Sequence, residues 1–282
     1  MERYAILVDA GYFFAGGGQA AFGGPTPRKQ LSLKSPEGLV NALNQQAAHA
    51  CNGIQLLRVY WYDAMPGPRL SLEQNSIALL AGVKLRLGAL NSAGEQKGVD
   101  SLLVTDLIDL ARNRAIADAV LISGDEDLRI GVQVAQSFGV RVHILAAGNP
   151  KRNVSPALQM EADSVTAIPD AWFAEQLLRA TQQLQSGAQA AVSSSRLVVP
   201  AIAKAASVDE AAIDVINLML GPLSKQQMLL LKEHFSGQST VPPEYDRKLI
   251  ARVSVALSNR KLSGDEMRHI RGIFVRTVRE RA

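Results

Sequence analysis

The chain has 282 residues, enough for one large domain or for a domain with a smaller companion, and its 47% hydrophobic share suits an ordinary buried core. A single cysteine, Cys51, excludes an intramolecular disulfide; no apolar run approaches the roughly 18 residues of a membrane helix, and MERYAILVDAG is too short an apolar start for a signal peptide, so a reduced, cytoplasmic setting without membrane contact is expected. The net charge of +4 is unevenly placed: from Arg247 onward ten lysines and arginines face three acidic residues, giving that segment +7 and leaving −3 for the rest, a pattern that suits a polyanionic partner but also simple solvated helix faces.

Tyr4 to Val8 is an apolar run that ends on Asp9, with Ala10 and Gly11 allowing a sharp turn. Gly16, Gly17, Gly18, Gly23 and Gly24, with Pro25 and Pro27, lack the spacing of a nucleotide cradle and predict a flexible loop. Leu31 and Leu33 mark a brief extended piece, and Ser35 before Pro36 marks the start of a helix reaching about Ala50. Gln55 to Asp63 predicts a second strand, Leu70 to Ala81 a helix, Val83 to Leu90 a third strand and Asn91 to Glu95 a polar loop. From Asp100, the residues Leu103, Val104, Leu107, Ile108 and Ala111 keep helical spacing, which sets Asp100 at a helix N-terminus, where free backbone amides favour negative charge.

The stretch VLISGDEDLR, Val120 to Arg129, holds a strand buried on both faces, a turn at Ser123 and Gly124, and two carboxylates, Asp125 and Asp127, that open a helix running to Phe138. Val140 to Ala146 predicts another strand, Ser155 to Ala162 a short helix, Val165 to Ile168 a closing strand and Asp170 to Leu184 an amphipathic helix. Strand, helix, strand repeated three times predicts an α/β fold, a parallel sheet flanked by helices. The small polar composition of QSGAQAAVSSS reads as a linker, dividing the chain into a domain at 1–184, a linker at 185–207 and an all-helical C-terminal region at 208–282. The four histidines are scattered without metal-ligand spacing, and His143 reads as a core or surface residue.

Asp9, Asp100 and Asp125 with Asp127 come from three strand ends, and in a parallel sheet those ends share one edge, where ligands bind. Carboxylates within a few ångströms of one another are unfavourable without a neutralising cation, so the set predicts Mg²⁺ or Mn²⁺ at Asp9, Asp100 and Asp125 and metal-assisted phosphodiester hydrolysis needing no serine or histidine nucleophile. Lys97 and Arg129 are candidates for holding phosphate, or surface charges.

VDAGYFF, VYWYD, QKGVD followed by SLLVTDL, and SGDEDL followed by a glycine-turn strand together resemble the NYN (LabA-like) branch of the PIN-like nuclease superfamily over roughly Met1 to Ala174. The resemblance implies a Rossmann-like PIN fold and a Mg²⁺- or Mn²⁺-dependent ribonuclease with acidic residues at Asp9, Asp100 and Asp125, Asp127 close by and the Ser123 hydroxyl near the metal. Asp106 matches a family acidic position but lies six helical residues from Asp100, and Asp163 resembles a recurrent structural aspartate. Tyr12 departs from the asparagine that many relatives carry three residues after the first aspartate, which leaves the number of metals open. Two functions stand at this point: a metal-dependent ribonuclease acting on RNA with basic C-terminal helices gripping it, or a non-catalytic PIN-like module that binds nucleic acid or protein, with a protein partner or self-association through those helices. An aspartyl-nucleophile phosphatase is disfavoured because Asp9-Ala10-Gly11 has no second aspartate two residues on.

Overall fold

The structure, a computed structural model, describes residues 2–65, 69–90, 96–179, 207–223 and 225–281. The chain divides into two compact units, residues 1–68 with 73–181, and 69–72 with 182–282. Of the predicted linker at 185–207 the structure describes only Ser207, which caps α9, and the Asn91–Glu95 loop lies outside the described residues.

In the first unit the elements run β1 (Arg3–Asp9), α1 (Ala10–Phe22), β2 (Leu31–Leu33), α2 (Pro36–Ala50), β3 (Gln55–Met65), α3 (Leu72–Ala78), β4 (Val83–Leu90), β5 (Gln96–Lys97), α4 (Val99–Arg112), β6 (Asp118–Ile122), α5 (Arg129–Ser137), β7 (Arg141–Ala147), α6 (Pro150–Asn153), α7 (Pro156–Glu161), β8 (Ser164–Ile168), α8 (Asp170–Gln176) and β9 (Leu177–Arg179). Among the described residues one sheet has the order β5-β4-β3-β1-β6-β7-β8, all parallel except the antiparallel edge strand β5. Because side chains alternate across a strand, β1 sends Tyr4, Ile6 and Val8 into a core with residues of α1, α2 and α8, and Ala5 and Leu7 into a second core with residues of α4 and α5. The first core is aromatic: the Phe13 ring lies 5.4 Å from Trp61 and 5.6 Å from Phe173 between centroids, and such pairs add ~0.5–1.5 kcal/mol each beyond the area they bury.

The glycine-rich segment is a helix, not the loop its composition predicts. A Cβ on Gly16 would come within 2.8 Å of Ala147 Cβ, one on Gly17 within 2.5 Å of the Phe173 ring and one on Gly18 within 2.6 Å of Leu31 Cδ1, so α1 carries glycines to lie close against its neighbours. Gly23 then ends it in the left-handed conformation, φ 72°. The predicted Asp170–Leu184 helix is also corrected: α8 stops at Gln176, and β9 pairs antiparallel with β2. Asp125 caps a short 3₁₀ turn, Glu126–Leu128, ahead of α5.

The second unit contains α9 (Val208–Leu220), α10 (Lys225–Gly237), α11 (Pro243–Ala256) and α12 (Gly264–Glu280). Their apolar faces meet in a core that includes Val215, Ile216, Leu249, Val253, Ile270 and Phe274. Ser263 and Glu266 close a capping box at the start of α12, each side chain accepting the other's backbone N–H, at 3.2 and 2.8 Å. Among the described residues no helix is long and apolar enough to cross a membrane.

Candidate active site

The carboxyl ends of β1 and β6 lie side by side, Val8 pairing with Ile122, so Asp9 and Ser123 leave neighbouring strands at the same rim. Asp9 is almost fully buried and serves as N-cap of α1: its Oδ1 accepts from Tyr12 N at 3.1 Å, and its Oδ2 accepts from Ser123 Oγ at 3.2 Å. Asp125, exposed, accepts from Asp127 N at 3.1 Å. Asp100 stands in the first turn of α4, behind a glycine N-cap, Gly98, at φ 79°. Helix or turn N-termini thus converge on the rim, each bringing a carboxylate to its positive end.

The electrostatics tie the set together. Burial pushes the Asp9 carboxyl up to about 6; the Asp100 charge adds to this, while hydrogen bonds from the Tyr12 and Gly11 backbone and from Ser123 oppose it. Asp100 is raised above the usual carboxylate range by partial burial and then by the charges of Asp125 and Asp127. The cluster is looser than the sequence expectation of carboxylates within a few ångströms. Among the described residues the group of three or more potential ligand atoms within 4.8 Å of one another is Cys51, Asp118 and His143, not the rim aspartates. Cap hydrogen bonds hold Asp9 and Asp125 to their own turns. Oxygen donors set apart in this way fit a hard cation such as Mg²⁺, which keeps several waters and takes few direct carboxylates.

A raised carboxyl has a definite consequence for stability. Between about pH 4 and 6 the folded chain keeps the Asp9 proton that the unfolded chain releases, so this residue's contribution falls as pH rises through that window and is fully lost above about 6. In chelator, urea unfolding of the wild type and Asp9→Asn is expected to give a stability difference that grows in favour of Asn from pH 4 to pH 7, reaching ~3 kcal/mol, with Mg²⁺ narrowing it by favouring the ionised carboxylate. A difference independent of pH would contradict the burial of this charge.

Not every aspartate near the sheet belongs to the rim. Asp106 is committed to Arg86 Nε at 2.8 Å and Tyr62 Oη at 3.0 Å. Asp163 accepts from Val142 N at 2.7 Å and Gln136 Nε2 at 3.0 Å, joining β7 to α5. Asp63, at the end of β3, is buried and bound by Ala64 N and Gln74 Nε2. Arg129 opens α5 and is partly exposed; the Lys97 side chain lies outside the described residues.

Sequence reasoning passed over how the rim is braced. The Tyr12 hydroxyl accepts from Ala147 N at 3.0 Å, Gly124 O accepts from Ser155 N at 2.9 Å, and Asn153 Nδ2 donates to Ala147 O. Gly124 has no room for a side chain: its Cβ would stand 1.9 Å from Asn153 O and 2.7 Å from the Tyr12 ring. Tyr12 therefore ties the start of α1 to the segments after β6 and β7. Gly124 is required by space and not by a positive φ, so nothing local in the sequence announced it.

The NYN domain model matches residues 3–169, and the chain belongs to the NYN domain family, a family of PIN-like nucleases. It is 40% identical over 213 residues to a protein of Sinorhizobium fredii described as uncharacterized protein y4oD, a match covering 75% of this chain and 99% of that one. A crystal structure of a protein of unknown function from Vibrio parahaemolyticus is similar at 20% identity with a TM-score of 0.43, covering 63% of this chain and 96% of that one.

Proposed function

We propose that this protein is a Mg²⁺- or Mn²⁺-dependent ribonuclease of the cytoplasm that hydrolyses RNA phosphodiester bonds at the rim formed by Asp9, Asp100, Asp125 and Asp127. The observation that carries this reading is placement: Asp9 and Ser123 leave neighbouring parallel strands at one rim, Asp125 and Asp127 follow Ser123, and Asp100 opens α4, with charges that raise one another's carboxyls beyond what burial does. A divalent ion held by Asp9, Asp100 and Asp125 supplies Lewis acidity toward a water and a phosphodiester oxygen. Ser123 holds Asp9 in place through its hydroxyl. Asp127 keeps the Asp125 carboxylate turned back on the loop through its backbone amide and adds negative charge to the rim. Lys97 and Arg129 are proposed to hold the substrate phosphate.

RNA binding is assigned to the cations of α11, α12 and the turn between them. Of the ten lysines and arginines there, Arg260, Arg268 and Arg271 are in ion pairs, Arg279 binds Phe235 O and Arg281 binds Asn217. The exposed Arg247, Lys248, Arg252, Lys261 and Arg276 carry the surface charge. Exposed Ile213, Leu218 and Leu229 on α9 and α10 suit a protein partner or a second copy beside it.

Purified protein incubated with labelled single-stranded RNA is expected to cleave it with Mn²⁺ and to stop in EDTA. The Tyr12 bracing favours a second reading, a binding module without catalysis; RNA binding indifferent to EDTA with no cleavage would establish that reading instead. Binding should also weaken with salt, and reversing Lys248, Arg252 and Arg276 to Glu should reduce the slope of log K against log salt by about 2, at roughly 0.7 per phosphate contact on a single strand. An unchanged slope would remove these residues from the interface.

A further inference from the structure

At the opposite end of the strands from the aspartate rim, three side chains distant in sequence meet. Cys51 follows the last turn of α2, Asp118 begins β6 and His143 lies on β7, and one ligand atom from each comes within 4.8 Å of the other two. All three are buried: Cys51 and Asp118 have no exposed surface and His143 is 6% exposed. The arrangement of His143 is the observation that points to a ligand. Its Nδ1 is 2.8 Å from Ser164 Oγ, while its Nε2 has no hydrogen-bond partner and sits 3.7 Å from Asp118 Oδ1, beyond hydrogen-bond range.

We infer that Cys51, Asp118 and His143 form a second metal site, chemically distinct from the rim, that takes Zn²⁺ through Sγ, a carboxylate oxygen and Nε2. The donor set is one thiolate, one imidazole and one carboxylate, which selects a borderline-soft ion over Mg²⁺. In the tautomer whose Nδ1–H donates to Ser164 Oγ, the Nε2 lone pair is free for a metal, the second-shell arrangement that metal-bound histidines use. Arg141 donates to both Asp118 oxygens, at 2.6 and 2.8 Å, orienting the carboxylate while leaving a lone pair on each. Tetrahedral Zn²⁺ bonds of about 2.0–2.3 Å place ligand atoms roughly 3.3–3.8 Å apart, so atoms that lie within 4.8 Å of one another close by about 1.5 Å at most on binding. The thiol is a neutral donor without a cation: burial, with the Asp118 charge behind it, pushes it up to about 12. Zn²⁺ binding releases that proton to solvent and joins α2, β6 and β7 through one ion. His143, read from its spacing as a core or surface residue, is a ligand in this account; the strands, not local spacing, bring the three together.

Co²⁺ titrated into the full-length, chelator-stripped chain with excess Mg²⁺ covering the rim tests this. The expected result is a thiolate-to-Co²⁺ charge-transfer absorption, saturating at one equivalent, lost in Cys51→Ala and weakened at least tenfold in affinity in His143→Gln. The same spectrum should persist in Asp125→Asn, which separates this site from the proposed nuclease centre. A measurement on the unmodified chain guards against variants that misfold: alkylation of Cys51 in mild urea should slow at least tenfold with Zn²⁺. A Co²⁺ spectrum without a thiolate transition, one unchanged in His143→Gln, or alkylation indifferent to Zn²⁺ would overturn the site and leave a buried Asp118 paired with a half-exposed Arg141 beside a buried histidine.

Discussion

Asp125→Asn is expected to reduce Mn²⁺-dependent RNA cleavage on the order of 100-fold or more while leaving the melting temperature close to wild type, because it removes charge from an exposed side chain whose cap hydrogen bond an amide oxygen can still accept. Asp9→Asn should lose at least as much activity and, in chelator at neutral pH, become more stable, since it replaces a buried carboxylate whose ionised form is disfavoured there. Activity and stability moving in opposite directions distinguish a functional carboxylate from a structural one. If both variants cleaved RNA at near wild-type rates, the rim would have no part in the chemistry. Asp106→Asn is the contrasting case: breaking its contacts with Arg86 and Tyr62 should lower stability, with activity per folded molecule preserved.

Gly124→Ala is expected to be among the most damaging single-methyl changes in the chain. The added carbon meets the Asn153 carbonyl oxygen at 1.9 Å, a backbone atom that moves only if α6 moves, and the Tyr12 ring at 2.7 Å. Overpacking against braced backbone costs about 3 kcal/mol or more, a fall in Tm on the order of 6–12 °C for a unit of this size. Any relief shifts the Ser123–Asp125 turn relative to Asp9, and misplacement by about 1 Å costs roughly 100-fold in rate. Gly139→Ala provides the control: it sits at φ 87° with open space around its Cβ, so only backbone strain of about 1 kcal/mol is expected. A Gly124→Ala protein melting within 2 °C of wild type would show that the three loops are not locked together.

These two glycines also show what the sequence could and could not convey. Gly139 is legible as a turn because a left-handed residue after a helix has a local signature, whereas Gly124 and Gly16 to Gly18 are required by contacts with residues far away in the chain. Composition therefore turned α1 into a loop. The strands β1, β6 and β7 were readable because burial on both sheet faces leaves near-continuous apolar runs, β3 by its β-branched and aromatic content and β4 by alternation of apolar with basic or small residues, and Ser35 with Pro36 announced α2. β9 was absorbed into the preceding helix because Leu177–Arg179 is apolar enough for either state and only pairing with β2 decides it. The rim aspartates stood out because each ends a strand or begins a helix; Asp118 and His143, inside apolar strands with partners across the sheet, gave no such signal. Their separation was likewise invisible, since caps that hold Asp9 and Asp125 to their own turns act after the topology has brought the turns together.

The central claim is that carboxylates from β1, α4 and the turn after β6 act together on one cation. Anomalous diffraction from crystals soaked in Mn²⁺ tests it most directly: a peak bound, directly or through one water, by Asp9, Asp100 and Asp125, and absent from Asp125→Asn crystals, is the predicted result. An RNA-cleaving protein whose Mn²⁺ peak lies elsewhere, touching none of the three carboxylates, would contradict it.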